Sequence, residues 1–215
     1  MDRVRNALQG APIVLWLTMV SCVAPCLAQT SPDAATRKAA LTLATAVCGR
    51  CHGAEGRSAD PAVPVIAGQQ QHYIEVQLKA FRAQRRRDSG AHDDMQRIAS
   101  AWLMNDQIIT GIASYFSSQA PAPGKPGDPA VVATGKQLYE KVNPDRGIPT
   151  CADCHGADAE GLSVFPRLAG QHAQYLVRQM QMLRASLRDS RIMHGVVQDV
   201  SDNEIVAVAT YLQSK

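Results

Sequence analysis

Aromatic residues are scarce in this sequence, and long apolar runs are almost absent from it. Phe, Trp and Tyr make up 5% of the 215 residues. A core of this length normally contains more rings, so we expect a cofactor to fill part of it. Beyond residue 28 no apolar run approaches about 18 residues, which excludes a further membrane-spanning helix. The 22 Lys and Arg nearly balance the 19 Asp and Glu, and so small an excess excludes nucleic-acid binding driven by charge.

The one longer apolar run lies at the N-terminus and has the layout of a secretory signal peptide. Two arginines precede an apolar stretch over 11–24, and the small side chains of Cys26 and Ala28 mark a cleavage point. The stretch is shorter than a membrane span requires. We therefore expect residues 1–28 to be removed on export, and a retained membrane anchor is the alternative.

Four cysteines remain after this segment, and they form two identical motifs. Each motif is Cys-x-x-Cys-His, with the residues Cys48, Cys51 and His52 in the first copy and Cys151, Cys154 and His155 in the second. This pattern is typical of c-type haem attachment, because two thiols on one turn can form thioethers with one porphyrin. The following imidazole then becomes the proximal iron ligand. The sequence predicts two covalently attached haem c groups.

Three other uses of the cysteines explain the pattern less well. Disulfides are permitted in an exported chain, but they leave both histidines unexplained. The two knuckles of a zinc ribbon usually lie about 15–20 residues apart, much closer than these motifs. A thioredoxin-type redox pair requires a surrounding βαβ pattern, which neither motif has.

The motifs belong to an internal repeat. Pro64–Gln69 matches Pro166–Gln171, and the matching pairs that follow are Tyr73 with Tyr175 and Gln77 with Gln179. Between the copies lies a segment with four prolines, whose composition is typical of an extended linker. We predict a first haem domain at 29–117, a linker at 118–128 and a second haem domain at 129–215.

Apolar spacing in both copies predicts helices and no strands. The predicted helices are 33–47 and 129–142 before the motifs, 69–86 and 171–187 after them, and a last helix in each copy. Asp106 is the predicted N-cap of one last helix, and Asp202 or Ser201 of the other. The fold class is therefore all-α, with two tandem domains.

Each iron needs a sixth ligand, and one methionine occupies the same place in both copies. Met95 and Met193 each follow the second helix and precede the last one. A thioether ligand is typical of haems that only carry electrons. His92 and His194 are neighbouring alternatives. The other nearby methionines are expected to pack in the core, namely Met104, Met180 and Met182.

Taken together, these motifs make the sequence resemble the cytochrome c4 family of periplasmic di-haem cytochromes. The resemblance covers nearly the whole chain after the signal peptide. It implies two class I cytochrome c folds related by pseudo-twofold symmetry and His/Met ligation by His52 with Met95 and by His155 with Met193. It also implies electron donation to terminal oxidases, a periplasmic location and association with the membrane surface.

Arginines and tyrosines outside the motifs each have two readings. The run Arg85-Arg86-Arg87, unusual for the family, is either a solvated helix end or a docking patch for an acidic redox partner. Arg82 and Arg184 either pair with haem propionates or are exposed. Tyr73 and Tyr175 are expected in the core, with hydroxyls within reach of a propionate.

The leading functional hypothesis is an electron carrier with no catalytic residues. Its expected partners are a terminal oxidase, a quinol-oxidising complex or a dehydrogenase. The alternatives are a haem subunit of a larger redox complex and a di-haem enzyme such as a peroxidase. An enzyme needs an open iron position and groups that move protons. Two methionines at matching positions argue against an open iron position, and the chain is short for an additional substrate-binding domain.

Overall fold

The computed structural model describes residues 33–86, 91–103, 105–141 and 147–215, apart from the side chains of 91–93. The predicted signal peptide, Arg87 and Met104 lie outside these ranges. In the first half the helices are α1 (Ala34–Leu43), α2 (Gly49–His52), α3 (Gln71–Arg82), α4 (Ala91–Trp102) and α5 (Asp106–Ser117). In the second half they are α6 (Pro129–Glu140), α7 (Ala152–His155), α8 (Ala173–Arg184), α9 (Arg191–Val197) and α10 (Asp202–Ser214).

The described residues form no strand, only two isolated antiparallel bridges, Arg86 with Arg188 and Leu162 with Phe165. None of the helices described is both long and apolar enough to cross a membrane. The predicted helical class is therefore confirmed.

The helices after the motifs are shorter than predicted. The predicted spans 69–86 and 171–187 become α3 and α8, which end at Arg82 and Arg184. In both halves the chain then turns through a residue with positive φ, Gln84 at 56° and Ser186 at 55°. The left-handed conformation breaks the helix there.

One predicted helix cap is wrong by one residue, and the other is one of the two residues that were predicted. Asn105, and not Asp106, caps α5, because its side chain accepts a hydrogen bond from the Gln107 amide. Ser201, and not Asp202, caps α10 in a capping box with Glu204. In both places the acidic residue is the first helical residue, where a negative charge favours the helix dipole.

The first and last helices of each half cross closely at a glycine. In the second half a Cβ on Gly135 of α6 would lie 2.0 Å from the carbonyl oxygen of Ala207 on α10. In the first half the glycine lies on the last helix instead of the first. A Cβ on Gly111 of α5 would lie 2.5 Å from the Cβ of Ala40 on α1. These crossings bring each last helix against its own core.

The segment between α5 and α6 has neither helix nor strand and contacts both halves. The Arg57 guanidinium donates to the Ala120 carbonyl at 3.1 Å, and the Lys125 amide donates to the Gln213 carbonyl at 2.8 Å. Proline at 121, 123 and 126 suits an extended chain, because it fixes φ and removes the backbone donor.

Candidate functional site

The first Cys-x-x-Cys-His motif is reached without a break from α1. One π-helical turn, Ala44–Cys48, joins α1 to α2. His52 ends α2 and is buried. Its Nδ1–H donates to the Pro64 carbonyl at 2.9 Å. Because a carbonyl only accepts, the proton is on Nδ1 and the lone pair on Nε2 is available to a metal.

The second motif reproduces this arrangement. His155 ends α7, and its Nδ1–H donates to the Pro166 carbonyl at 3.0 Å. Its Nε2 is fully buried and has no hydrogen-bond partner. A buried acceptor without a partner is costly, but it is the atom that an iron would bind. The site therefore fits a metal on the Nε2 side of His155.

Burial sets the ionisation state of the motif side chains. It lowers the pKa of His52 and of His155, despite the opposing effect of the bonds to the two proline carbonyls. The imidazoles are thus held neutral, which is the form that binds metals. Burial also raises the pKa of the Cys48 and Cys151 thiols to about 11. Such thiols are unlike the low-pKa thiolate of a thioredoxin-type redox pair.

A single large cavity connects the two motifs. Its volume is about 570 Å³, which is within the range of roughly 300–1,000 Å³ that cofactor sites occupy. The predicted site residues that line it are Cys48, Cys51, His52, Met95, Cys151, Cys154, His155 and Met193. The structure therefore brings all of the predicted attachment and ligand residues to one internal space.

The candidate methionine ligands both lie on helices that were not among the predicted ones. Met95 is on α4 and Met193 is near the start of α9, whose N-cap is Ser190. Met180 also lines the cavity and packs against the second core, as expected of a packing residue.

His92 and His194 were the alternatives for the sixth ligand, and the structure describes the side chain of His194 only. His194 is not among the described residues that line the cavity. Its Nδ1 lies 3.1 Å from the Leu183 carbonyl and 3.1 Å from the Ser186 hydroxyl oxygen. The His92 side chain lies outside the described residues.

A buried arginine, Arg86, and a half-buried one, Arg188, form a crossed hydrogen-bond cluster where the halves meet. The Oε1 of Gln179 accepts from Arg86 at 3.1 Å and from Arg188 at 2.7 Å. The Oε1 of Gln77 accepts from Arg86 at 3.1 Å and from Arg188 at 3.0 Å. We call these four residues the seam cluster, and all of them line the cavity.

Neither predicted role of the arginine run holds for Arg86. Its side chain is 6% exposed, and its guanidinium lies 4.2 Å from the centroid of the Phe81 ring. It is thus neither a solvated helix end nor a surface patch. Arg85 is exposed, as both readings predict.

The matching tyrosines of the repeat each contact the arginine of the opposite half. The Tyr73 hydroxyl accepts from Arg188 at 2.5 Å. Burial raises the pKa of Tyr175, while Arg188 and Arg86 act to lower it. Each tyrosine therefore adds to the seam cluster through one of the two seam arginines.

Arg82 and Arg184 have matching structural roles in the described residues. Arg82 donates to the Leu103 carbonyl at 2.8 Å and pairs with Asp106 at 2.8 Å. Arg184 donates to the Val200 carbonyl at 2.9 Å and pairs with Asp202 at 2.5 Å. Each arginine therefore contacts both the last helix of its half and the segment that precedes that helix. These contacts contradict one of the two predictions, namely that Arg82 and Arg184 are exposed.

The seam cluster was missed from sequence, although the repeat contained a signal for it. Arg188 follows Gln179 at the same spacing at which Arg86 follows Gln77. An arginine at matching positions of a duplicated chain is better explained by a shared contact than by a chance surface charge.

The fold and this site define a c-type cytochrome with two tandem class I domains. The family described as cytochrome c matches residues 38–120 and 132–215. The chain is 35% identical over 189 residues to cytochrome c4 of Thiocapsa roseopersicina, covering 85% of this chain and 94% of that protein. It belongs to the cytochrome c4 family of electron carriers and has two covalently attached haem c groups.

A solved structure and a second relative extend the comparison. The cytochrome c4 structure from Acidithiobacillus ferrooxidans matches with a TM-score of 0.73 at 33% identity, covering 78% of this chain and 98% of that chain. A protein of Thiomonas intermedia named thiosulfate dehydrogenase electron acceptor is 33% identical over 179 residues, covering 79% of each chain.

Proposed function

We propose that the chain is a periplasmic electron carrier whose two irons keep six protein and porphyrin ligands throughout the redox cycle. Cys48 and Cys51 attach one haem, and Cys151 and Cys154 attach the other. His52 with Met95 and His155 with Met193 are the axial ligands. The haem irons supply one-electron redox chemistry, and a methionine ligand raises their potential.

The observation that carries this proposal is the fixed orientation of the two histidines. The carbonyls of Pro64 and Pro166 hold the imidazole protons on Nδ1, at 2.9 and 3.0 Å. The hydrogen bond also increases the basicity of the Nε2 that faces the cavity. Rigid ligands favour electron transfer, since little has to move when the charge changes.

The seam cluster suits the carboxylates of two porphyrins. Arg86 and Arg188 provide two guanidinium groups in the wall of the cavity. A guanidinium binds carboxylates through paired hydrogen bonds. The same residues join the halves, so cofactor binding and domain contact support each other.

The predicted boundaries belong to this proposal. Residues 1–28 are the export signal, 29–117 and 129–215 are the two haem domains, and 118–128 is the linker. The electrons pass to a terminal oxidase or a related respiratory partner. A dehydrogenase is the second candidate partner, favoured by the relative named as a thiosulfate dehydrogenase electron acceptor.

Spectroscopy of the purified protein tests ligation and function together. We expect two haems per chain that survive acid–acetone extraction, and a weak thioether-to-iron band in the oxidised state. Cys51→Ala and Cys154→Ala should each impair attachment in their own half. The reduced protein should bind carbon monoxide slowly, since a protein ligand must leave first. Rapid binding at one haem would show an open iron and favour a di-haem enzyme.

A further inference from the structure

A crossed pair of buried glutamines joins the two halves at matching positions. The Nε2 of Gln69 donates to the Arg167 carbonyl at 2.9 Å, and its Oε1 accepts from the Arg167 amide at 2.7 Å. Gln171 makes the same two contacts with Val65, at 2.8 Å to the carbonyl and 2.9 Å from the amide. Arg167 and Val65 therefore have the same backbone setting, and each is fixed by the opposite half.

These two positions belong to the walls around the axial histidines. In each half the residue directly follows the proline whose carbonyl orients the histidine. Val65 and Arg167 both line the cavity. The backbone is thus alike in the two halves, but the side chain is not. Val65 is apolar and 8% exposed, whereas Arg167 brings a guanidinium, which is always charged.

The guanidinium of Arg167 lacks a bonding partner inside the protein. Arg167 is half-buried, and its Nε is fully buried with no hydrogen-bond partner among the described residues. A buried donor without an acceptor is costly, and more so in a charged group. Because Nε–H can only donate, the missing partner is an acceptor. The acceptor that suits a guanidinium best is a carboxylate.

The seam arginines are in a different situation from Arg167. Arg86 and Arg188 come one from each half, and both donate to Gln77 and Gln179. Their charges are therefore matched across the repeat and do not by themselves distinguish the two haem sites. Arg167 is matched by a valine, so its charge is present on one side only.

We infer that Arg167 binds a carboxylate of the second haem through Nε–H and raises the reduction potential of that haem, while Val65 gives the first haem no such contact. The inference rests on the proposed carrier function and names a residue that makes its two redox sites unequal. The oxidised haem has one positive charge more than the reduced haem. A cation in the low-dielectric wall therefore favours the reduced form.

Exposed charges beside the two motifs act in the opposite direction. Segment 151–160 has a formal charge of −3 and segment 48–57 a formal charge of +1, from Asp153, Asp158, Glu160, Arg50, Glu55 and Arg57. All six of these residues are exposed, so water and salt screen them. The guanidinium in the cavity wall is screened much less. We therefore expect its effect to dominate and to change little with ionic strength.

Potentiometric titration of the holoprotein with optical detection tests the inference. Arg167→Met keeps much of the side-chain length and removes the charge, so one of the two one-electron equilibria should shift about tenfold toward the oxidised form, which is about 59 mV. Arg167→Gln, the second variant without the charge, should give a shift of the same sign. Arg167→Lys retains the charge and should recover at least about half of the shift. Arg85→Gln, at an exposed arginine, is the control and should stay within about twofold of the parent.

Carbon monoxide assigns the affected haem. In Met95→Ala it should hold the first iron reduced, so the remaining wave belongs to the second haem. Arg167→Met added to this variant should lower that wave by the same factor. In Met193→Ala under carbon monoxide the remaining wave belongs to the first haem, and Arg167→Met should leave it unchanged.

Resonance Raman spectra separate a carboxylate contact from packing. The bending band of the haem propionates depends on their hydrogen bonds. The band should shift in Arg167→Met and return part of the way in Arg167→Lys. A side chain that only fills space would leave this band in place.

The outcomes separate this inference from the carrier function. Two reversible waves with unchanged potentials in Arg167→Met and Arg167→Gln would overturn the inference and leave the carrier intact. A shift of the first haem alone, or of both haems equally, would show that the assignment to the second haem is wrong. An unchanged propionate band, with no recovery in Arg167→Lys, would reduce Arg167 to a packing residue. If the parent gave no reversible wave at all, the carrier function itself would fail.

Discussion

The two halves of the chain are closely alike inside and differ where they meet solvent. Inside, each proximal histidine donates to a proline carbonyl, and the two distances are 2.9 and 3.0 Å. Outside, the residue before the candidate methionine is Asp94 in one half and Ile192 in the other. The interior geometry is set by what a haem requires, and the surface carries no such constraint.

A second difference lies in how the chain reaches each motif. In the first half one π-helical turn leads from α1 into Cys48. In the second half α6 ends at Glu140, well before Cys151, and Tyr139 supplies the connection. Its carbonyl accepts from the Cys151 amide at 3.0 Å, and its hydroxyl donates to the Gly156 carbonyl at 2.6 Å. The longer route therefore needs a buried side chain to position the motif.

The largest expected effect is loss of a methionine ligand, and it tests whether the halves are equivalent inside. Met193→Ala and Met95→Ala should each lower the potential of one haem by on the order of 100 mV, within the roughly 0.8 V that axial ligands span. The vacated iron should bind carbon monoxide rapidly. Potentiometric titration with optical detection measures both effects. An unchanged potential in Met95→Ala would assign the first sixth ligand to another group such as His92.

Removal of either seam arginine should have the next largest effect. Arg86→Gln and Arg188→Gln should each lower the free energy of unfolding of the full holoprotein by about 3 kcal/mol, because charged hydrogen bonds across the seam are lost. Thermal or denaturant unfolding measures this loss. Arg85→Gln is the exposed control and should cost less than about 0.5 kcal/mol. A large loss in one arginine variant alone would show that the seam is unequal.

The helix crossings offer a smaller and more local test of the comparison. Gly135→Ala should destabilise the protein by about 2–3 kcal/mol, because the new methyl meets backbone that cannot move cheaply. Gly111→Ala should cost less, since its neighbour is the Ala40 side chain, and the swap Ala40→Gly/Gly111→Ala should recover most of the loss. Denaturant unfolding measures all three. Equal losses of stability in Gly135→Ala and Gly111→Ala would contradict the predicted difference between the two helix crossings.

The sequence predicted the parts of the molecule that local chemistry determines. The helical class follows from apolar spacing, and the repeat is visible in Pro64–Gln69 and Pro166–Gln171. The eight attachment and ligand residues could be proposed from motif spacing, and all of them line the cavity. Their roles as ligands are still predictions, since they depend on the bound haems.

The misses arise where distant segments decide the outcome. The burial of Arg86 could not be read from a basic run, because its partner Gln179 lies in the other half. The cap at Asn105 was missed because the adjacent Asp106 is an equally good cap by residue type, and a one-residue choice depends on local backbone geometry. The helix that carries Met95, α4, was also missed, since no helix was predicted between the second helix and the last one.

The smallest expected effect concerns a position where the halves differ by one side chain at the seam. His172 occupies the place of Gln70 in the repeat, is 2% exposed, and contacts Ser58 of the first half. The Ser58 hydroxyl donates to the Val63 carbonyl at 2.6 Å. His172 Nε2–H must therefore be the donor to Ser58, to Oγ at 2.9 Å and to the carbonyl at 3.0 Å.

The state of this imidazole gives a pH dependence whose sign is fixed. Burial lowers the pKa of His172; Lys125 acts in the same direction, while the Ser58 carbonyl and Asp60 oppose them. The unfolded chain therefore binds the proton more readily, and stability falls as the pH is lowered below about 6.5. In His172→Gln an amide can still donate to Ser58, so melting temperatures of the holoprotein between pH 7 and 5 should fall less than in the parent. His72→Gln, at an exposed site, should retain the parent's slope, and an unchanged slope in His172→Gln would exclude this histidine as the source.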